Sequence, residues 1–128
     1  MHTYTLPFGD ITILQENLAE VVIFDGIIMD EDMVNDYHNF LLLNLKPPFS
    51  LLINKKFAYC YTFEAQLKIV DLSQIDKMAV IVYTNLAEMA TQSLINLNNN
   101  KNWNIKIFHD RDSALSWLQN TEIKKEAI

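Results

Sequence analysis

The heptapeptide Lys77-Met-Ala-Val-Ile-Val-Tyr83 decides the fold of this chain. After the lysine, apolar side chains follow one another without interruption, so neither face of the segment is suited to solvent exposure. The segment is short and rich in β-branched residues, and helix signals follow it at once, which is typical of a buried strand. We therefore interpret residues 77–83 as a central strand of a covered sheet.

The composition indicates one globular domain. The chain has 128 residues, of which 50% are hydrophobic and 20% are charged, enough for a substantial core. A net charge of −6 opposes binding to nucleic acid or anionic lipid. Cys60 is the only cysteine, which favours a cytoplasmic location. No apolar stretch approaches the roughly 18 residues of a membrane span, and no signal-peptide pattern begins the chain.

A hairpin and a long helix are predicted before the central strand. Residues 11–14 and 19–24 are β-branched runs that favour an antiparallel hairpin, and Asp25-Gly26 supplies a turn after it. Asp30 is suited to cap a helix that ends before Pro47-Pro48, because proline cannot continue the helical hydrogen bonds. The expected buried stripe, with two leucines that widen it, comprises Met33, Tyr37, Phe40, Leu41, Leu42, Leu43 and Leu45.

A third strand, residues 49–53, leads into the least explained part of the chain, the loop of residues 54–61. Its notable side chains are Lys55, Lys56, Phe57, Tyr59, Cys60 and Tyr61. Aromatic residues in a loop either pack over a core edge or are displayed for binding. Thr62 can then cap a short helix from Phe63 to about Val70.

Two helices and an edge strand are predicted after the central strand. Asn85 and Glu88 have the spacing of a capping box. The buried face of that helix is expected to contain Leu86, Met89, Ala90, Ser93, Leu94 and Leu97, with Glu88, Gln92 and Asn96 on the wet side. Residues 103–109 favour an edge strand, and Asp110 or Asp112 can cap a last helix to about residue 120. Its expected buried residues are Ala114, Leu115 and Leu118.

The predicted order is therefore β-β-α-β-α-β-α-β-α. Helices between the later strands imply parallel neighbours, while the hairpin adds antiparallel pairing. The expected fold is α/β, with a mixed sheet of roughly five strands and about four helices. We expect one domain over residues 1–121 and a charged tail over residues 122–128, of the kind that frays.

This order, with the ending Phe108-His-Asp-Arg-Asp-Ser-Ala-Leu-Ser-Trp-Leu118, resembles the SpoIIAA-like branch of the STAS and Sec14-like proteins. In that branch the last strand runs into a helix with an Ala-Leu-x-Trp-Leu signature, matched here by Ala114, Leu115, Trp117 and Leu118. Residues 75–82 resemble the approach to the family's central strand. The resemblance covers residues 10–118 and consists mostly of packing residues, so it implies a fold more strongly than an activity.

The resemblance also suggests a modification site. STAS proteins that antagonise anti-sigma factors carry a phosphorylatable Ser at a helix start after the strand that corresponds to residues 49–53. The Asp-Ser pair and the glycine usual in that stretch are missing here, and Thr62 is the nearest hydroxyl. A phosphate on Thr62 would meet a positive helix end, with help from Lys55 or Lys56. The alternative is that Thr62 only caps the helix.

Motifs for catalysis or metal binding are not evident. His2, His38 and His109 are far apart and lack metal-ligand spacing. The acidic residues Asp25, Asp30, Glu31, Asp32 and Asp36 lack the register of a calcium loop. Cys60 has no histidine beside it in the sequence, which favours an ordinary thiol over a nucleophile. We expect no catalytic residue, no metal site and no cofactor.

Three functional hypotheses remain, and the first is favoured. It is a non-enzymatic STAS-like regulatory or protein-interaction module that binds a protein partner or a second copy of itself. The second is a binding protein for a small apolar ligand or lipid, as the Sec14-like resemblance implies. The third is an enzyme, which a pocket joining Cys60, a histidine and a carboxylate would support. The candidate partner- or ligand-binding residues are Lys55, Lys56, Phe57, Tyr59, Tyr61 and Phe63, and the second hypothesis adds Leu42 and Leu43.

Overall fold

A computed structural model of the protein describes the backbone of residues 1–126 and the side chains of residues 1–119. The strands are β1 His2–Leu6, β2 Gly9–Gln15, β3 Leu18–Ile23, β4 Ile28–Met29, β5 Phe49–Asn54, β6 Cys60–Tyr61, β7 Ile75–Ile81 and β8 Asn104–Phe108. The helices are α1 Glu31–Asn44, α2 Phe63–Lys68, α3 Asn85–Leu97 and α4 Arg111–Glu126. None of the helices described combines the length and apolarity needed to cross a membrane.

Six strands form one mixed sheet in the order β1-β2-β3-β5-β7-β8. The pairs β1–β2 and β2–β3 are antiparallel, and the remaining pairs are parallel. The short strands β4 and β6 form a separate parallel pair. The predicted mixed α/β class and the predicted hairpin are thus confirmed. The prediction missed β1, because its side chains are mostly exposed and leave no buried face in the sequence pattern. It also missed β4 and β6, which have only two residues each, and β6 lies within the predicted loop of residues 54–61.

The strand predicted from the heptapeptide is β7. It lies between β5 and β8, parallel to both, and residues 77–82 are all buried. The predicted range of 77–83 is wrong at its end, because Tyr83 lies beyond the strand and is 54% exposed. The one charged residue in this stretch, Lys77, is stabilised by α4, where the Leu118 carbonyl accepts a hydrogen bond from its Nζ at 3.1 Å. β8 is the edge strand, as predicted.

Helices cover both faces of the sheet unequally. On one face, α1, α2 and α3 pack over a large core that includes Val34, Leu41 and Leu94. On the other face, α4 covers a smaller core through Ala114 and Leu118. Residues buried on both sides of β5 and β7 explain why these strands read as continuous apolar runs rather than as alternating ones.

Most predicted helix starts are confirmed by direct hydrogen bonds. The Asp30 carboxylate accepts the Met33 N–H at 3.0 Å at the start of α1. Asp110, rather than Asp112, accepts the Ser113 N–H at 2.8 Å at the start of α4. The predicted turn after the hairpin is also present, with Gly26 at φ +79°.

Of the buried face predicted for α3, only Leu94 is confirmed. Its N-cap is Thr84, one residue before Asn85, and its buried residues are Thr91 and Leu94. Leu86 and Met89 are 76% and 67% exposed, and the following positions of the same face also lie in solvent: Ala90, Ser93 and Leu97. The helix does have an apolar face, but it packs on the sheet through an adjacent face that contains Thr91 and Leu94.

Two smaller expectations are also corrected. Leu42 and Leu43 of α1 are predicted to be buried, but they are exposed. The helix packs on the sheet through a different face, which contains Val34 and Leu41. The last helix continues to Glu126, beyond its predicted end near residue 120. Residues 127 and 128 lie outside the described residues, and the prediction of a frayed tail over residues 122–128 is not tested.

A substitution at Gly9 should test the packing of the hairpin. A Cβ atom added there would lie 2.5 Å from the carbonyl oxygen of Val22 in the paired strand. Because backbone must move to relieve this overlap, we expect Gly9→Ala to lower the free energy of unfolding by about 1–3 kcal/mol. Urea denaturation would measure the loss, with the exposed-turn variant Asn100→Ala as the control. Equal stabilities for Gly9→Ala and wild type would contradict this packing.

Candidate functional site

The candidate site lies where the parallel strands end. In open α/β sheets, ligands bind beyond the carboxyl ends of the strands. Here β5 ends at Asn54 and leads into the loop of residues 55–59, while β7 leads through Tyr83 and Thr84 into α3. The loop and the start of α3 therefore face each other at this edge.

Hydrogen bonds to the segment before α1 hold the loop in place. The Gly26 N–H donates to the Ala58 carbonyl at 2.8 Å, and the Cys60 N–H donates to the Ile27 carbonyl at 3.1 Å. The Asp25 carboxylate accepts the Ala58 N–H at 3.3 Å. This pairing continues as the short β4–β6 ladder. The loop predicted from the sequence is therefore anchored to the rest of the fold.

The aromatic residues of this region divide into two groups. Tyr59 and Tyr61 point inward, with their rings 5.6 Å apart and their hydroxyl oxygens 3.4 Å apart. Burial raises the pKa of both phenols above the ordinary value. Phe57 and Phe63 are exposed. Of the four aromatic residues proposed to bind a partner or ligand, two therefore pack against the core and two are exposed for binding.

Lys55 is the unusual charged group of the site. Its Nζ donates to Thr91 Oγ1 of α3 at 2.9 Å and lies 5.3 Å from the centre of the Tyr59 ring. Thr91 in turn donates to the Ala87 carbonyl at 2.8 Å. Burial lowers the pKa of Lys55 from 10.5 to about 8. Among the side chains of residues 1–119, no carboxylate forms an ion pair with it.

Two surface grooves flank Lys55. The first, which we call the Phe57 groove, has a volume of about 170 Å³. Its walls include Lys56, Phe57, Tyr83, Leu86 and Ala90. The second, the Cys60 groove, has a volume of about 220 Å³. Its walls include Cys60, Tyr61, Gln66, Ala90 and Ser93. Lys55 and Tyr59 line both grooves.

The exposed apolar face of α3 borders these grooves. We use the name α3 surface for Phe57, Tyr83, Leu86, Met89 and Ala90, all of which are exposed. Large exposed apolar patches mark interaction sites in soluble proteins. In the sequence this surface has the form of an apolar helical stripe, the pattern that also predicts a core face.

Thr62 is the N-cap of α2, as predicted. Its Oγ1 accepts the N–H of Ala65 at 3.2 Å. The two lysines suggested as helpers for a phosphate are engaged elsewhere, because Lys55 donates to Thr91 and Lys56 lies over the Phe57 ring. Capping is thus the role visible for Thr62.

The other candidate groups do not come together. The His38 ring hydrogen-bonds the Ile69 carbonyl, and burial lowers its pKa. His109 lies 2.9 Å from Glu88, while His2 stacks near Tyr4 at the far end of the sheet. Within the described residues, no group of three or more metal-ligating side chains is arranged to hold an ion.

A polar network at the same strand ends was not predicted. Arg111 holds Glu20 with Nη2 at 2.7 Å, Asn54 donates to Glu20 at 3.0 Å, and Tyr83 donates to Asn54 at 2.8 Å. Burial opposes ionisation of Glu20, but these hydrogen bonds outweigh it and keep its pKa below the ordinary value. The four residues come from four separate elements, so no local sequence signal could have identified them. The network fixes Tyr83 beside the Phe57 groove.

Comparison with known proteins supports the fold. No protein-family model matches the chain, and no curated protein matches it. Among solved structures, it is similar to an uncharacterized protein of the DUF3478 family with a SpoIIAA-like fold from Shewanella loihica PV-4. The two share 18% sequence identity over 92% of this chain and 99% of the other, with a TM-score of 0.57. At this identity the likeness establishes the fold alone, and the protein has the SpoIIAA-like fold that the sequence resemblance predicted.

Loss of the Thr62 cap should destabilise the protein. We expect Thr62→Ala to lower the free energy of unfolding by about 0.5–2 kcal/mol, since the Ala65 N–H loses its acceptor. Thr62→Ser retains the oxygen and is the matched control. Chemical denaturation followed by circular dichroism gives both values. If alanine and serine variants were equally stable, the capping role would be disproved.

Loss of the Lys55 charge should stabilise the protein. The folded-state pKa of about 8 lies below the ordinary value of 10.5, so the unfolded chain binds more protons between these pH values. The contribution of Lys55 to wild-type stability should therefore rise with pH across this window, and the full cost of burying the charge is present below it. The buried phenols of Tyr59 and Tyr61 have raised pKa values and act in the opposite direction near pH 10, so the rise is read as the difference between wild type and a Lys55 variant. We expect Lys55→Met to raise the free energy of unfolding at neutral pH by about 1–3 kcal/mol and to abolish the rise.

Urea denaturation of wild type, Lys55→Met and the exposed-lysine variant Lys46→Met over this pH range measures the effect. Lys46→Met should retain the wild-type pH dependence because Lys46 lies in solvent. A Lys55→Met protein less stable than wild type at neutral pH would show that the ammonium group is a net stabiliser.

Proposed function

We propose that this protein is a non-enzymatic STAS-like regulatory or protein-interaction module that acts in the cytoplasm. The observation that carries the proposal is the α3 surface beside the anchored loop. Leu86 and Met89 project into solvent, and Phe57 and Tyr83 extend the apolar area across the Phe57 groove. Exposing these side chains to water costs free energy, which burial against a partner would recover. The occupant is a protein partner or a second copy of this chain.

The distribution of reactive groups supports a non-enzymatic role. Cys60 lines a groove whose walls contain neither a histidine nor a carboxylate. The three histidines lie in separate places, and two of them have local partners within the fold. A nucleophile and a base within hydrogen-bonding reach are the usual sign of covalent catalysis. The amine that shares this groove with Cys60 is that of Lys55, and its Nζ donates a hydrogen bond to Thr91 instead.

The alternative, a binding protein for a lipid or small apolar ligand, is less well supported. The apolar cavity between the sheet and the helices α1 and α3, lined in part by Tyr37, Tyr59 and Tyr61, has a volume of about 30 Å³. That is room for one or two water molecules rather than for an acyl chain. Leu42 and Leu43, which this alternative needs at the entrance, are not among the cavity-lining residues.

Phosphorylation of Thr62 remains part of the proposal as a means of regulation. Thr62 is partly exposed. It lies in the chain between Tyr61, which lines the Cys60 groove, and the exposed residue Phe63. A phosphate there would add negative charge close to the proposed interaction surface.

The double variant Leu86→Ser/Met89→Ser tests the proposal. Both side chains are exposed, so we expect the free energy of unfolding to change by no more than about 0.5 kcal/mol. Binding should weaken by about tenfold or more, because the two serines remove apolar area that a partner would bury. The measurement is retention of cellular proteins on the immobilised chain, with native mass spectrometry over several concentrations to detect self-association.

The matched control is Leu43→Ser on α1, where the leucine is 85% exposed and lies outside both grooves. It should bind as the wild type does. Equal binding by the double variant and the control would remove the α3 surface from the proposal. Absence of both a retained protein and self-association for the wild type would contradict the interaction role itself.

A further inference from the structure

We propose that the Phe57 and Cys60 grooves together bind a short segment of a protein partner that carries an Asp or Glu side chain between two apolar side chains. The acidic side chain pairs with Lys55, and one apolar side chain enters each groove. This inference rests on the proposed interaction function and specifies the chemistry of the partner.

The first argument is the missing counter-charge of Lys55. An ammonium group has three donors, and the Thr91 hydroxyl accepts one of them. Burying a charge without an opposite charge is costly, and natural proteins usually pair such groups. The chain has 16 acidic residues, and none of those within residues 1–119 lines either groove. The group that completes the site is therefore an anion from another molecule.

The second argument is the local sign of charge. The protein carries a net charge of −6, so its average surface repels acidic ligands. The walls of the Phe57 groove nevertheless contain Lys55 and Lys56 and no acidic residue. An acidic segment is thus attracted to this place more than to the rest of the surface. Charge complementarity of this kind gives specificity and orientation.

The third argument is the shape of the site. Lys55 and Tyr59 lie between the two grooves, and the small side chain of Ala90 lines both from α3. The volumes of about 170 and 220 Å³ fall below the range of about 300–1,000 Å³ typical of small-molecule pockets. They suit individual side chains. Apolar walls from Phe57 and Leu86 on one side, and from Tyr61 and Leu94 on the other, accept apolar groups.

The experiment is selection of a random peptide library displayed on phage against the immobilised wild-type protein. We expect the enriched sequences to share an Asp or Glu flanked by apolar residues. A synthetic peptide from this set should bind Lys55→Met about tenfold or more weakly than wild type, since its carboxylate loses its partner. Lys46→Met is the matched control and should bind as wild type does.

A double-mutant cycle separates pairing from a change in shape. Replacing the acidic residue of the peptide by its amide should weaken binding to the wild type by about tenfold or more, with little further effect on Lys55→Met. Independent effects of the two changes would show that the carboxylate does not meet Lys55, and would overturn the inference.

Other outcomes decide between the inference and the proposed function. Peptides that bind the α3 surface without any acidic preference, and equally to Lys55→Met, overturn the inference and leave the interaction module in place. If no peptide is enriched but hexanoate shifts the amide NMR signals of residues 55–60, the grooves take a small carboxylic acid, and the assignment to a peptide is wrong. If neither probe binds, the inference is wrong, and the retention test with Leu86→Ser/Met89→Ser judges the proposed function separately.

Discussion

The burial of β5 and β7 on both faces is the constraint on which the rest of the structure depends. Parallel strands covered by helices on either side leave no room for unpaired polar groups within the sheet. Polar side chains therefore gather where the strands end. Asn54 follows this rule at the end of β5, and Lys55 stands immediately after it. The site lies at this edge because the centre of the sheet must stay dry.

Two groups of polar side chains lie at this edge, and only one of them has all of its charges paired within the protein. The network of Glu20, Asn54, Tyr83 and Arg111 is satisfied internally, since each residue donates a hydrogen bond to, or accepts one from, another member. It fixes β3, β5 and α4 relative to one another. Lys55 has a hydroxyl and an aromatic ring as partners and lacks an anion among the described side chains. A satisfied network stabilises the fold, whereas a partly buried charge without a counter-charge marks a candidate functional site.

The sequence predicted two helix starts from local partners, although it placed the cap of α3 at Asn85 rather than at Thr84. The Asp30 and Thr62 caps depend on an N–H three residues ahead, so their function is visible in the chain itself. The face of α3 was misjudged because apolar periodicity does not say which neighbour covers the stripe. Leu86 and Met89 have the pattern of core residues and lie in solvent. The same error concealed the candidate surface, since a partner-binding face and a core face share one composition.

By itself, the sequence determined the buried parallel strand of residues 77–82, the class of the fold and the loop before Thr62 as the region of interest. These follow from continuous apolarity and from local capping chemistry, which act between near neighbours in the chain. Only the tertiary structure decided that Tyr59 and Tyr61 turn inward, that α3 leaves its apolar stripe uncovered, and that Lys55 meets Thr91 without an anion. The physical reason is that these features depend on contacts between distant segments, which packing of the whole sheet and its helices brings together.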